Sequence, residues 1–508
     1  VTNLFSTWTL RSKAALAPRK FIRLGLGFGL AVAASTGCLQ IGTAQEPELV
    51  ETITLQDYLT KLKQKHPLFK SEPIQIKIAQ AERRAALGAE DWVLLSNPRY
   101  GFDEPVGSST FNPEELTTIG LNAGLEKPFW KNGSRLGLNW DYQHLDQITR
   151  DFMIPGSTMA IPTGFPNYHQ NQLSLTYTLP LLQNKGGGLD RLQADVRGFL
   201  ALSAGLQAAE SQEQFILESA KRFVDWSQLF EQTDIARSRE VLAQTMYENN
   251  VSNRVANAVS KIDLLRSESD LSSAKQNTLL TQSQANSIRI ELAMIAYWPE
   301  VANYAPDLDL FALPDTTNQT DSVDHTRSLK LFALESKRLA RESEGLAETA
   351  KPRLDLNLGA GLSGGGEDFS ESTELNQPNY GASLGIRIPL GNGAAKANIE
   401  VNELRQEKAL LDERKARIQL ESALAALKLQ MAELRKVIAL NEKQLSAAKN
   451  RTAEEVIQYK RGKSPLTFVI QSRDAEATAK TLRAQNAATF HKLFLEQEAM
   501  LDRIFETP

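Results

Sequence analysis

Residues 409–438 read ALLDERKARIQLESALAALKLQMAELRKVI. Within them Leu420, Leu424, Leu427, Met431, Leu434 and Ile438 recur at steps of 4, 3, 4, 3 and 4, the spacing of a coiled-coil seam. Ala409, Ala416 and Ala423 mark a second seam of small residues. No glycine or proline falls between Gly393 and Gly462, so roughly 68 residues can run as one helix, about 100 Å long at 1.5 Å per residue. That exceeds the span of a globular domain, and a helix with two seams predicts neighbours on both sides.

Working outward, the first half has the same habit: no glycine or proline occurs from Leu206 to Trp298, and a chain reversal is expected at Asn249 to Asn257. The halves also share strand-to-helix junctions. Leu175-x-Tyr177-x-Leu179-Pro180-Leu181 recurs as Leu384-x-Ile386-x-Ile388-Pro389-Leu390, an offset of 209 (389 minus 180), and Tyr247 and Tyr459, each read as closing a long helical stretch, are 212 apart. Helical segments ending at Asn97-Pro98-Arg99 and Lys351-Pro352-Arg353 precede the strands of each half. Between Pro98 and Pro180 lie 82 positions against 37 between Pro352 and Pro389, so the first half carries an excess of 45 (82 minus 37). The expected organisation is a first repeat over 45–298, a polar linker over 299–324 and a second repeat over 325–508.

The strand segments alternate. In Leu173-Ser174-Leu175-Thr176-Tyr177-Thr178-Leu179 and Leu354-Asp355-Leu356-Asn357-Leu358-Gly359-Ala360 every second residue is apolar, which gives a strand one apolar and one polar face. Ile119 to Leu125 and Leu136 to Tyr142 do the same around Asn132-Gly133, a hairpin signal. Taken alone, these strands fit a soluble sandwich with one wet face; the long helices argue for another setting.

With 42% hydrophobic, 23% charged and 7% aromatic residues over 508 positions and a net charge of -4, nothing points to nucleic acid as a partner. Arg11, Lys13, Arg19, Lys20 and Arg23 precede the apolar run Leu24 to Ala34, the pattern of a secretory signal peptide over 1–44. Its apolar stretch of about eleven residues falls short of the roughly 20 a spanning helix needs. Cys38 is the one cysteine, so no internal disulfide is expected. Cleavage after Ala44 discards it, whereas Ser35-Thr36-Gly37-Cys38 resembles a lipoprotein processing site; both readings stay open.

Three further motifs, Thr54-Leu55-x-x-Tyr58 with His66-Pro67, Leu179-Pro180-Leu181-Leu182 before Gly186-Gly187-Gly188, and Tyr459-x-x-Gly462 before an apolar helix start, resemble in order and spacing the outer membrane efflux protein (TolC-like) family. The resemblance covers essentially the whole chain after the leader. It implies an α+β membrane protein of two internal repeats: a long-helix α-barrel reaching into the periplasm, and four strands from each protomer of a homotrimer making a twelve-stranded outer-membrane β-barrel. Physics favours the oligomer independently, because a few strands cannot close a barrel and an open edge is not tolerated in hydrocarbon. About six candidate strand segments are countable, four of them before Pro180, so the sequence leaves open which enter the barrel.

The implied function is the passive exit duct of a tripartite export system, with a periplasmic adaptor, an inner-membrane transporter and outer-membrane lipid as partners. The resemblance assigns adaptor docking to the tip formed by Tyr459, Lys460, Arg461, Gly462, Lys463, Ser464 and Pro465, with Val255 to Asp263 as first-half counterpart. Where some relatives place acids just beyond this turn, Phe468 and Gln471 stand here, and Asp263 keeps an acid in the first half; these three are the expected pore constriction. The chemistry of an enzyme is missing: His66, His144, His169, His325 and His491 are scattered, Gly462-Lys463-Ser464 lacks the rest of a phosphate loop, and Gly359-x-Gly361-x-x-Gly364 runs into an acidic loop rather than a helix. No catalytic, cofactor or metal site is expected. The rival reading, a periplasmic adaptor or structural coiled-coil protein, predicts a soluble periplasmic monomer.

Overall fold

A computed structural model describes residues 51–106, 113–149, 152–153, 156, 160–161, 167–255, 259–315 and 322–504. The expected leader and Cys38 lie outside the described residues. In chain order the elements are β1 (Glu51–Thr54), α1 (Leu55–Lys65), α2 (Leu68–Leu87), β2 (Val93–Asp103), β3 (Pro113–Phe129), β4 (Ser134–Thr149), β5 (Phe152–Met153), β6 (Ala160–Ile161), β7 (Tyr168–Pro180), α3 (Gly188–Val255), α4 (Lys261–Ile295), β8 (Tyr304–Asp307), α5 (Arg327–Thr349), β9 (Arg353–Gly366), α6 (Phe369–Ser372), β10 (Gln377–Arg387), α7 (Gly393–Lys460) and α8 (Leu466–Met500). Among the described residues no helix is long and apolar enough to cross a membrane.

The glycine- and proline-free runs are helices, as read. α3 and α7 each have 68 residues and α4 and α8 each have 35, and both pairs are offset by 205 (393 minus 188, 466 minus 261). Tyr247 therefore does not close a helix: α3 runs on to Val255, so Tyr247 and Tyr459 hold different positions, and the reversal lies between Val255 and Lys261, overlapping only the far end of the stretch expected for it, Asn249 to Asn257. The next helix opens at the cap Ser260, whose hydroxyl accepts the Asp263 N–H at 3.1 Å.

The predicted seam is the buried side of α7. Leu424, Leu427 and Met431 are buried, Leu420, Leu434 and Ile438 half-buried. Its neighbours come in succession along the helix, α5 against one part and α8 against another. Leu420, Leu424 and Ala416 meet Val323, Leu329 and Phe332 from the α5 side. The largest core joins both ends of the first repeat: Tyr58 and Leu62 of α1 pack on Phe223 and Trp226 of α3, Leu292 of α4 and Val301. The Tyr58 hydroxyl donates to the Leu292 carbonyl at 3.2 Å, so its polar end is satisfied inside an apolar cluster. The stretch expected as a linker is itself packed, with β8 pairing in parallel to β1 and with Val301 and Leu310 buried.

The remaining long strands form one antiparallel sheet of six, in the order β10-β9-β7-β4-β3-β2. The resemblance implies four strands per chain in the barrel; in the single chain all six candidate segments belong to one sheet. The excess residues of the first half supply the hairpin β3–β4, which enters between β2 and β7 because its strands have partners on both sides. β2 and β10 are the open edges.

Candidate functional site

The sheet has two chemically distinct faces, kept continuous by its register. One carries Leu94, Pro98, Tyr100 and Phe102 of β2; Ile119, Leu121 and Leu125 of β3; Leu138, Trp140 and Tyr142 of β4; these continue through Leu173 and Leu175, Leu358 and Leu362, to Tyr380, Leu384 and Ile386. No second sheet covers this face among the described residues; α6 lies over it at Tyr142, His169 and Asn171, while Leu94 (75% exposed), Tyr100 (72%), Tyr380 (86%) and Ile386 (65%) stand open. A soluble sandwich buries such a face, so that reading fails for want of a covering layer. The opposite face is polar and self-bonded: Asn122 donates to Asp141 at 2.5 Å, Arg99 approaches Asp141 at 4.0 Å, and Thr178 donates to Asn357 at 2.9 Å. Gly359, Gly361 and Gly364 lie inside β9, in contact with neighbouring strands, which removes their likeness to a dinucleotide loop.

The far ends of the helices make the second region. At Lys460 the chain turns through Gly462 (φ +70°), whose N–H donates to Tyr459 O at 2.8 Å while Lys463 N–H donates to Gln458 O at 2.9 Å. That pair of bonds is a Schellman cap, and the left-handed residue inside it favours glycine. Ser464 donates to Glu455 at 2.9 Å, fixing the far side of the turn. Lys460, Arg461 and Lys463 are exposed. Tyr459 instead points inward and donates to Oδ1 of the buried Asn250 of α3 at 3.0 Å, tying the two hairpins together. Burial and the Asp263 carboxylate push its phenol pKa up. Beneath it Met246, Leu466 and Val469 form a small core.

The three expected constriction residues keep different company. Asp263 accepts from Ser260 at 2.8 Å and pairs with Arg266 at 3.5 Å; its place in the first-half turn is described, whereas 256–258 are outside the described residues. Gln471 lines a groove of about 950 Å³ between α4 and α8, with Arg239, Asp270 and Asp474. Phe468 is 45% exposed and is absent from that lining. Sequence reading missed the groove's charged centre: buried Arg239 of α3 meets Asp270 of α4 at 2.5 Å and Asp474 of α8 at 2.9 Å. Three remote segments supply it, so no local spacing announces it.

Two clusters of histidines and acids stand out among the described residues. The register of β4 and β7 stacks His144 on His169, with Tyr142 Oη 3.0 Å from His169 Nδ1, a pairing that sequence distance hides. Glu210, Glu213 and Asp502 converge as metal ligands would, but the guanidinium of Arg327 fills the space between them, paired to all three.

No family model matches the sequence and no curated protein matches it. By fold the chain is similar to solved outer-membrane channels. These include CusC, a former of transmembrane channels (TM-score 0.65, 10% identity, 88% of this chain and 91% of that one), the outer-membrane channel OprN (0.64, 13%, 91% and 95%) and the outer membrane protein VceC of Vibrio cholerae (0.62, 12%, 88% and 96%). The combination of long helices and sheet expected from the sequence is the fold these channels have.

Proposed function

We propose that this chain is the outer-membrane exit duct of a tripartite export machine, working as a homotrimer without chemistry of its own. One observation carries the reading: a six-stranded sheet whose apolar face is open except where α6 lies over Tyr142, His169 and Asn171 is joined directly to helices of 68 residues. Lipid is the solvent that such a face needs, and a polar face turned inward lines a water-filled passage. Four of the six strands connect to helices without a domain boundary, α2 to β2, β7 to α3, α5 to β9 and β10 to α7. The wall in the membrane and the helical tube are thus one continuous conduit.

The tip is the proposed adaptor dock. Lys460, Arg461 and Lys463 offer exposed charge on a turn held rigid by the Gly462 cap, with Tyr459 and Ser464 engaged below it. Asp263, Phe468 and Gln471 are the proposed lining of the narrow end. Energy and most of the selectivity come from the inner-membrane transporter.

Fractionation of expressing cells tests the reading. The chain is expected in the outer-membrane fraction as an oligomer that survives mild detergent and dissociates on heating; a soluble periplasmic monomer would favour the adaptor-like rival. Photo-crosslinkers at Arg461 and Lys463 are expected to capture a periplasmic hairpin protein, and capture only from distant helix positions would move the dock elsewhere.

A further inference from the structure

Building on the trimer proposed above, we infer that the membrane barrel closes from six strands per chain, eighteen from three copies, by pairing β2 of one copy with β10 of the next. The two edges fit one another. Each is 11 residues long, about the length of a membrane-spanning strand, and every residue of both is exposed. With six strands alternating in direction, β2 leaves α2 while β10 returns to α7, so the edges of adjacent copies meet antiparallel. Both continue the two-faced pattern, Leu94, Tyr100 and Phe102 on one side and Tyr380, Leu384 and Ile386 on the other, so the apolar belt passes unbroken across the joint. Pro98 and Pro378 each withdraw one donor, leaving the rest of the ladder available.

The extra hairpin is built into this wall. β3 pairs along its length with β4 and with β2, so excluding the hairpin would orphan both ladders. Its turn is seated on the loop before α3 and on the turn between α2 and β2. Trp130 is buried and its backbone N–H donates to the Glu90 carboxylate at 3.2 Å, Lys127 donates to the Glu90 carbonyl, and Gly186 N–H donates to Asn132 O at 3.4 Å. A Cβ on Gly187 would stand 1.8 Å from the Trp130 carbonyl oxygen, so the contact exists because that position has none. No helix continues below this turn: each chain sends six strands up from four helices, and the barrel flares outward from the tube that carries it. Barrel diameter grows roughly linearly with strand number, so eighteen strands make an exit about half again as wide as twelve.

The test uses the full chain purified in detergent. Its oligomer mass is measured, its end-on projection imaged by electron microscopy, and cysteines are placed pairwise on the polar side of the edges, at Asn97 or Arg99 with Asn379 or Ser383. The expected result is a trimer with eighteen strands in projection. At least one double variant is expected to give covalent dimers and trimers with a short thiol crosslinker, and each single variant none, because β2 does not face its own copy. A trimer with a twelve-stranded wall and an expelled hairpin overturns the inference while sparing the duct. A dimer closing twelve strands, or a monomer, overturns the trimer itself.

Discussion

Gly187 and Gly186 stand side by side with similar left-handed backbones, φ +67° and +87°, yet only Gly187 faces an obstacle. Alanine at either costs about 1–2 kcal/mol of backbone strain, while at Gly187 the clash with Trp130 adds to it. Gly187→Ala is therefore expected to lower the melting temperature of the detergent-solubilised protein well below that of Gly186→Ala; equal losses would mean that the hairpin seat yields freely. At the tip, Tyr459→Phe removes a hydrogen bond and leaves the buried Asn250 unsatisfied, a loss of about 1–3 kcal/mol expected as faster amide exchange where the two hairpins meet. A pH effect follows with a definite sign. The folded Tyr459 pKa lies above its unfolded value of 10.0, so its contribution is complete below that pH and fades as pH rises toward the folded value. Melting of the wild type is expected to weaken more steeply above pH 10 than that of Tyr459→Phe. The turn residues Tyr459 to Pro465 were legible because Gly462 interrupts a long glycine-free run, whereas Asn250 was not: nothing local marks an asparagine inside a helix as another hairpin's partner.

Among elements, the Arg239 cluster decides how α3, α4 and α8 hold together. Arg239→Ala leaves Asp270 buried without its counterion, and breaking a buried pair in this way costs about 3–5 kcal/mol. Arg239→Met together with Asp270→Leu keeps the volume and removes both charges, and is expected to recover most of that loss. Thermal melting of the three variants checks this, and equal melting of the single and double variants would refute it. Helices were the best-read elements because a seven-residue apolar repeat such as Leu420 to Ile438 survives in any tertiary setting. Strands were harder. Asn132-Gly133 announced a hairpin correctly, but whether β3 and β4 join the sheet depends on backbone pairing, which leaves no mark in side-chain alternation. Tyr247 misled for a related reason, since a residue can resemble its counterpart without sharing its distance from the helix end.

For the whole molecule, the telling residues are apolar ones that the single chain leaves outside. Leu404, Leu411 and Ile418 lie seven apart on α7, each exposed by more than half (58%, 55% and 64%), a stripe outside this chain's core that the proposed trimer would cover with a neighbouring copy. Leu411→Asp is expected to abolish the heat-dissociable oligomer while leaving the helix content of the chain unchanged by circular dichroism; persistence of the oligomer would place the subunit interface elsewhere. Under the proposed trimer, the open margins β2 and β10 also bear on the life of a newly exported copy before it meets its fellows. Such a copy has two adhesive borders and a greasy flank in an aqueous compartment, with one proline per border as its own defence. It is a poor resting state, prone to adhere to any passing strand. Survival then depends on escort proteins or on swift capture by the bilayer, and stranded subunits become natural prey for envelope proteases.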